Sequence, residues 1–204
     1  MKTALIVGNG EVNPETLKEL PKNPYIICAD GGMRHIKKLG LYADIIIGDM
    51  DSIDTDISEE NAIRYPVRKD FTDSEIAVDY AIEKGFSEVV MVGFTGTRMD
   101  HTLTNIFLLK KLSDNGIKAY IKDFYNTIYF AEKENIISGE VGDIISIIPV
   151  GGDIFGVTTK GLDYPLSFET LEFSKSRGVS NVMTQKTCTI TIEKGMALII
   201  KSRD

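Results

Sequence analysis

Cysteine, histidine and tryptophan are scarce in this chain of 204 residues, which has two cysteines, two histidines and no tryptophan. Cys28 and Cys188 are far apart, and the sequence contains no C-x-x-C pair and no cluster of cysteine with histidine. A structural zinc site needs several such ligands close together, and a disulfide framework needs several cysteines. Neither is supported, and we expect two buried thiols.

Positive charge is also in short supply, because 23 lysines and arginines face 30 aspartates and glutamates, giving a formal net charge of -7. An acidic protein is not attracted to nucleic acid or to an anionic membrane surface, so neither is expected as a partner. The first apolar run stops at Gly8, which is too short for a secretory signal or a membrane span. These features predict a cytoplasmic protein.

Two common nucleotide-binding signatures are missing as well. The phosphate-binding pattern G-x-x-x-x-G-K-[ST] does not occur. The segment Gly8-Asn9-Gly10 begins like the dinucleotide fingerprint but has Asn13 where that fingerprint requires glycine. The sequence therefore supports neither a P-loop ATPase nor a Rossmann dehydrogenase.

The order of apolar runs and helical patterns predicts two domains. Strands are expected at 3–7, 25–29, 43–47, 88–92 and 119–122, with helices at 33–39, at 73–84 and from about residue 100 to Asn115. Beyond about Phe124 the helical patterns disappear, and short strands follow one another, among them 144–149 and 156–159. We predict an α/β domain with a mostly parallel sheet at 1–124 and a smaller all-β, sandwich-like domain at 125–204.

A short acidic turn, Gly48 to Ser52, directly follows the third predicted strand and brings Asp49 and Asp51 close together. Two neighbouring carboxylates repel each other, and a magnesium ion with its preference for oxygen ligands would relieve that repulsion. The alternative is a solvated loop that caps the next segment. An EF-hand calcium loop is excluded, because Ile53 and Asp54 replace a ligand and the required glycine.

Further acidic residues follow strand ends or open helices: Asp30, Asp70 with Asp73, and Asp100. The loop Gly93 to Thr97 lies between a predicted strand and a helix, where free N–H groups can hold phosphate, and Arg98 adds a cation. Asp73 has an alternative role, because an acidic residue in a first helical turn favours the helix dipole. Ligands bind at the carboxyl ends of parallel strands, so the combination predicts a site for magnesium and polyphosphate.

These motifs resemble those of the thiamine pyrophosphokinase family, in the family's order and over nearly the whole chain. The matching segments are Ala29 to Gly32, Gly48 to Ser52, Lys69 to Asp73, Gly96 to His101 with Asn105, Thr159 to Leu166, and Val179 to Asn181. The resemblance implies a catalytic α/β domain that binds ATP, a β-sandwich domain that binds thiamine, and a homodimer with active sites in clefts between the subunits. It also implies transfer of a pyrophosphoryl group from ATP to the hydroxyl of thiamine, with release of AMP.

The same resemblance assigns roles to individual residues. It implies that Asp49, Asp51 and Asp73 bind Mg²⁺, and that Asp100, Arg98 and Asp70 form the catalytic set, with Asp70 also near the metal. The residues expected to bind ATP or thiamine are Asp30, Gly31, Gly93, Gly96, Thr97, Arg98, Asn105, Ser180 and Asn181, of which the last two would contact the aminopyrimidine. Some family members supply a tryptophan to the thiamine site, so the stacking surface here must differ.

Two other functions stay open from the sequence. The chain could diphosphorylate another hydroxymethyl heterocycle, such as a pterin, with the same acidic site. It could also be a regulatory module that binds a nucleotide or thiamine without turnover.

Overall fold

The computed structural model describes residues 2–48, 62–64 and 71–203, and the chain divides into two compact units, Met1–Phe124 and Tyr125–Asp204. Each unit has its own hydrophobic core, so the two are described separately. No helix in the described part of the chain is both long enough and apolar enough to cross a membrane.

Unit 1 alternates strands and helices along the chain. Its strands are β1 (Thr3–Val7), β2 (Tyr25–Ala29), β3 (Ile45–Gly48), β4 (Ala62–Arg64), β5 (Glu88–Val92) and β6 (Lys118–Lys122). Its α-helices are α1 (Met33–Leu39), α2 (Asp73–Glu83) and α3 (Met99–Asp114), and short 3₁₀ segments occupy Pro14–Glu19 and Asp30–Gly32.

Local sequence signals set the helix ends of unit 1. The Thr72 hydroxyl accepts a hydrogen bond of 3.2 Å from the N–H of Glu75 and caps α2. Gly40 ends α1 in the left-handed region, at a φ of 63°, where glycine is favoured. Asp73 and Glu75 both lie in the first turn of α2, where the helix dipole favours negative charge.

The strands of unit 1 lie in the order β4-β3-β2-β1-β5-β6, and each neighbouring pair is parallel. The chain adds strands on one side of β1 as far as β4 and then returns to place β5 on the other side. The sheet therefore has a topological switch point between β1 and β5, which is where open parallel sheets form a ligand-binding crevice. The carboxyl ends of β1 and β5 point the same way, so the loops after them are neighbours.

The described residues of unit 2 form strands and no helix. The strands are β7 (Asn126–Phe130), β8 (Glu134–Ser138), β9 (Ile144–Lys160), β10 (Glu169–Leu171), β11 (Asn181–Val182), β12 (Thr187–Thr191) and β13 (Lys194–Ser202). They lie in the order β7-β13-β9-β12-β8, with β10 and β11 also on β9, and every pair is antiparallel. Ile145, Ile154 and Ile190 are fully buried in the core of this unit.

Three sequence expectations need correction. The strands predicted at 144–149 and 156–159 are one strand of 17 residues, β9, because Gly151 and Gly156 adopt positive φ and redirect the strand without ending it. The strand β8 was not predicted. A mostly parallel sheet does not describe the chain either: its pairing is mixed and mostly antiparallel, because unit 2 contributes only antiparallel pairs.

Candidate active site

A cavity of about 310 Å³ opens at the switch point of unit 1. It brings together five of the residues predicted from sequence: Gly93, Gly96, Thr97, Arg98 and Asn105. Its other lining residues are Asn9, Gly10, Ser74, Phe94, Thr95, His101 and Thr102. The cavity is thus formed by the loops after β1 and β5 together with the first turns of α2 and α3.

The loop after β5 has its carbonyl groups tied back by hydrogen bonds. The carbonyls of Gly93 and Thr95 accept bonds of 2.7 Å and 3.0 Å from the N–H groups of Gly10 and Glu11. Those of Phe94 and Gly96 accept from the Asn105 amide at 3.0 Å and the Thr102 hydroxyl at 3.4 Å. Four consecutive carbonyl oxygens, which would repel a phosphate, are therefore engaged by donors. Backbone N–H groups before and at the start of a helix attract anions, so this segment at the entrance of α3 is suited to bind one.

The loop after β1 packs so closely against the loop after β5 that glycine is required. A Cβ built at Gly10 would lie 2.2 Å from the carbonyl oxygen of Thr95, whereas one at Gly96 would meet nothing nearer than 3.8 Å. Gly31, another predicted residue, lies against the side chain of Asn9, which a Cβ would approach to 2.5 Å. Asn9 and Gly10 were not predicted as site residues, because Gly8-Asn9-Gly10 matches only the beginning of the dinucleotide fingerprint.

Arg98 and Asp100 bind each other at the start of α3. The Arg98 Nη2 lies 2.5 Å from Asp100 Oδ2, and its Nε lies 3.2 Å from Oδ1. The hydrogen bond from Arg98 lowers the pKa of Asp100 from 3.8 to about 2. Both side chains are largely exposed, so this ion pair adds little to the stability of the fold. Its importance is geometric, because it holds the Asp100 carboxylate beside the loop after β5.

The predicted metal ligands are only partly described. Asp49, Asp51 and the catalytic candidate Asp70 lie outside the described residues. Asp73 opens α2, next to Ser74, which lines the cavity. Among the described residues no group of three acidic, histidine or cysteine side chains gathers around a common point. Asp30 begins the short turn after β2.

In unit 2, the two residues predicted to bind thiamine form hydrogen bonds with two other residues. Ser180 contacts the buried Ser146, and Asn181 contacts the exposed Tyr164. The N–H of Ser180 donates to the Ser146 hydroxyl at 3.1 Å. The Asn181 Oδ1 accepts from the N–H groups of Tyr164, at 3.0 Å, and Val182, at 2.9 Å, and its Nδ2 donates to the Tyr164 carbonyl at 2.7 Å. An asparagine amide has two donor and two acceptor positions, so one N–H of Asn181 remains for a ligand.

Tyr164 is a residue that the sequence argument missed as a site candidate. Asn181 holds its backbone from both sides, yet Tyr164 is 67% exposed. An anchored backbone under an exposed ring is a suitable platform for stacking a planar ligand. The resemblance had included Tyr164 in the segment Thr159 to Leu166, and that was the signal that could have identified it.

Unit 1 has the architecture of a phosphate-binding α/β protein, because its cavity lies at the switch point of a parallel sheet and is lined by a glycine loop and a helix start. Two family models match the chain: "Thiamin pyrophosphokinase, catalytic domain" at residues 16–121 and "Thiamin pyrophosphokinase, vitamin B1 binding domain" at residues 126–197. Thiamine pyrophosphokinase from Bacillus subtilis is 32% identical over 216 aligned positions that cover 100% of both chains. The chain therefore belongs to the thiamine pyrophosphokinase family.

Solved structures support the same relationship. The crystal structure of thiamine pyrophosphokinase from Bacillus subtilis superposes with a TM-score of 0.87 at 29% identity and covers 100% of both chains. That of thiamin pyrophosphokinase from Geobacillus thermodenitrificans gives a TM-score of 0.86 at 25% identity, covering 99% of this chain and 98% of the other. The similarity thus extends over both units.

Proposed function

We infer that this chain is a thiamine diphosphokinase, which transfers a pyrophosphoryl group from ATP to the hydroxyl of thiamine and releases AMP. The observation that carries this inference is the match of both family models, one to each unit, together with a cavity lined by a glycine loop and a helix start inside the unit that matches the catalytic model. In this proposal unit 1 binds ATP and unit 2 contributes the thiamine-binding residues.

The loop Gly93 to Thr97 would hold the polyphosphate through its N–H groups, because its carbonyl oxygens are engaged elsewhere. Arg98 would bind these phosphates while it remains hydrogen-bonded to Asp100. A guanidinium group has five N–H donors, and the two bonds to Asp100 leave three for phosphate oxygens. Asn105 supports the loop from α3 through its bond to the Phe94 carbonyl.

Asp100 would accept a hydrogen bond from the thiamine hydroxyl and orient it toward the β-phosphorus. The oxygen then forms a bond to that phosphorus, the bond from the β-phosphorus to its oxygen bridge with the α-phosphorus breaks, and AMP leaves with the bridging oxygen. The hydroxyl proton is released. With a pKa of about 2, Asp100 is a weak base toward an alcohol, so its contribution is orientation more than proton abstraction.

Magnesium is the metal that these residues suit, since carboxylate oxygens are the ligands it prefers. We propose that Asp49, Asp51 and Asp73 hold it, with Asp70 close by. Asp73 supports this placement, because it lies next to a residue of the cavity wall. Bound there, Mg²⁺ would neutralise charge on the phosphate oxygens.

Thiamine carries a planar aminopyrimidine ring, for which unit 2 offers Ser180, the free N–H of Asn181 and the ring of Tyr164. We propose that Tyr164 is the stacking surface that replaces tryptophan, because Asn181 fixes its backbone.

Asp30 and Gly31, after β2, complete the proposed ATP site beside Asn9. We further propose that the enzyme works as a homodimer in the cytoplasm.

The test is to incubate the purified protein with thiamine, ATP and MgCl₂ and to identify both products by chromatography. Equal amounts of AMP and thiamine diphosphate are expected, and omission of Mg²⁺ should abolish both. ADP with thiamine monophosphate would instead indicate transfer of the γ-phosphoryl group and contradict the proposal.

The remaining alternatives have their own outcomes in the same assay. Faster AMP formation with a hydroxymethyl pterin than with thiamine would indicate a different diphosphokinase. Binding of ATP or thiamine without any product would indicate a regulatory module. An Asp49→Asn variant provides the catalytically impaired control.

A further inference from the structure

Two neighbouring residues of α1, Arg34 and His35, make contacts with the loop after β1 that no proposed catalytic role explains. Arg34 Nη2 donates to the carbonyls of Asn9 and Gly10, the latter at 3.1 Å. His35 Nε2 lies 2.7 Å from the same Gly10 oxygen. Asn9 and Gly10 line the cavity at the switch point.

The contact of His35 with Gly10 determines which ring nitrogen carries the proton. A carbonyl oxygen only accepts, so Nε2 of His35 must be the donor. Arg34 Nε lies 3.3 Å from that same nitrogen and cannot also donate to it. His35 therefore carries a proton on Nε2 whether its ring is neutral or charged. The residue is buried, with 8% of its surface exposed.

Gly10 connects α1 to the loop after β5, because its carbonyl and its N–H form hydrogen bonds with different elements. His35 binds the carbonyl of Gly10, and the N–H of Gly10 donates to the carbonyl of Gly93 at 2.7 Å. A Cβ built at Gly10 would lie 2.2 Å from the Thr95 carbonyl oxygen, so the loop after β1 is in close contact with the loop after β5. The orientation of Gly10 thus affects the loop after β5.

We propose that Arg34 and His35 are positioning residues that hold the carbonyls of Asn9 and Gly10 away from the cavity and thereby raise its affinity for the polyphosphate of ATP. A carbonyl turned toward a phosphate would repel it, so releasing these two oxygens weakens anion binding. The proposal rests on the proposed function only in taking ATP as the ligand of the cavity. It assigns neither residue a contact with the reacting atoms.

The experiment measures binding and turnover separately. Binding of the α,β-methylene analogue of ATP with Mg²⁺ is measured by calorimetry, and the KM for ATP, the KM for thiamine and kcat are measured from the rate of AMP formation. His35→Leu should weaken analogue binding and raise the KM for ATP by about three- to tenfold, the range for one lost hydrogen bond. The KM for thiamine should change by less than about twofold, because the released carbonyl oxygens would repel the phosphates and not the thiamine ring.

Conservative and charge-matched variants separate positioning from a general loss of structure. Glutamine can place its amide N–H where His35 has Nε2–H, so His35→Gln should restore binding to within about twofold of wild type. Arg34→Met should weaken binding like His35→Leu, whereas Lys38→Met, which removes another exposed cation from α1, should not. If His35→Leu does not fold, the Arg34→Met and Lys38→Met pair decides the question.

The results distinguish this proposal from the function itself. Wild-type affinity in both Arg34→Met and His35→Leu would overturn it, as would a Gln variant as impaired as the Leu variant, or no binding of the analogue by wild type. Analogue binding with the expected variant pattern but without thiamine diphosphate formation would refute the proposed function and leave the positioning role standing.

Discussion

Arg98 donates two hydrogen bonds to Asp100, one of 2.5 Å from Nη2 and one of 3.2 Å from Nε, and so pairs a cation with a carboxylate at the start of α3. We propose that Arg98 binds phosphate and that Asp100 orients the acceptor hydroxyl. Because the two side chains are hydrogen-bonded to each other, this proposal implies that the position of the hydroxyl depends on the position of the phosphate.

Replacing Asp100 tests this coupling directly. Asp100→Asn removes the charge but keeps one oxygen for Arg98, so we expect kcat to fall by roughly 10²-fold through lost orientation of the hydroxyl. The KM for ATP should change little, because the three remaining donors of Arg98 stay available. Steady-state kinetics with varied thiamine and ATP give both values.

A matched control for this prediction lies on the same helix. Asp114 forms an exposed ion pair with Lys110 at 2.5 Å, comparable to that of Asp100 but at the other end of α3. Asp114→Asn should leave kcat within about twofold, since exposed ion pairs contribute little. Equal losses in the two variants would contradict a specific role for Asp100.

The ionisation of Asp100 gives a second prediction. Because Arg98 lowers the pKa of Asp100 to about 2, the carboxylate stays charged throughout the neutral range and adds no acidic limb to the pH dependence of kcat. Arg98→Gln should raise that pKa toward 3.8, the ordinary value for an aspartate, because the largest cause of the shift is removed. Carbon-13 NMR titration of the Asp100 carboxyl in both proteins measures the change. An unchanged pKa in the variant would show that Arg98 is not its cause.

Local patterns predicted the elements of unit 1 well, because their signals lie within a few residues of one another. The strands Thr3–Val7 and Tyr25–Ala29 and the helix Met33–Leu39 have the predicted bounds. The polar strand Glu134–Ser138 escaped prediction, because only Ile137 in it is buried.

The candidate site was harder to predict, because it depends on strands that are distant in sequence. The loop Gly93 to Thr97 gave a local signal of glycines before a helix. Its partner loop at Asn9 and Gly10 reaches the cavity only because β1 pairs with β5, with Thr3 opposite Glu88. The contacts from Arg34 and His35 depend on the same tertiary arrangement, and no spacing in the sequence indicates them.

Two glycines of the cavity should respond in opposite ways to alanine. Gly10→Ala places a methyl group 2.2 Å from the Thr95 oxygen, so we expect a loss of about 1–3 kcal/mol in the free energy of unfolding. Gly96→Ala meets only ordinary contacts at 3.8 Å, so stability should be unchanged. Its methyl group nevertheless lies at the cavity wall and should weaken ATP binding. Chemical denaturation and calorimetry with the ATP analogue distinguish the two, and wild-type affinity in Gly96→Ala would contradict the phosphate cradle.

The stacking role of Tyr164 predicts dependence on the ring and not on the hydroxyl. Tyr164→Ala should raise the KM for thiamine by roughly 5- to 50-fold, the range for loss of one stacking contact, with little change in the KM for ATP. Tyr164→Phe keeps the ring and should stay within about threefold. Tyr42, which is 90% exposed in unit 1, supplies the control Tyr42→Ala. A KM for thiamine that is unaffected by Tyr164→Ala would place the stacking surface elsewhere.

The buried position of His35 predicts how stability changes with pH. Burial lowers the pKa of His35 below its usual value of 6.5, although its hydrogen bond with Gly10 opposes the shift. The unfolded chain, in which His35 titrates near 6.5, therefore binds the proton more strongly than the folded chain. The contribution of His35 to stability is complete above that pH and is lost as the pH falls through 6.5 toward the folded pKa.

Thermal unfolding at about pH 7.5 and about pH 5 should show a larger drop in Tm for wild type than for His35→Gln, which has no ring to protonate. An equal drop in wild type and His35→Gln would mean that other groups cause the acid sensitivity.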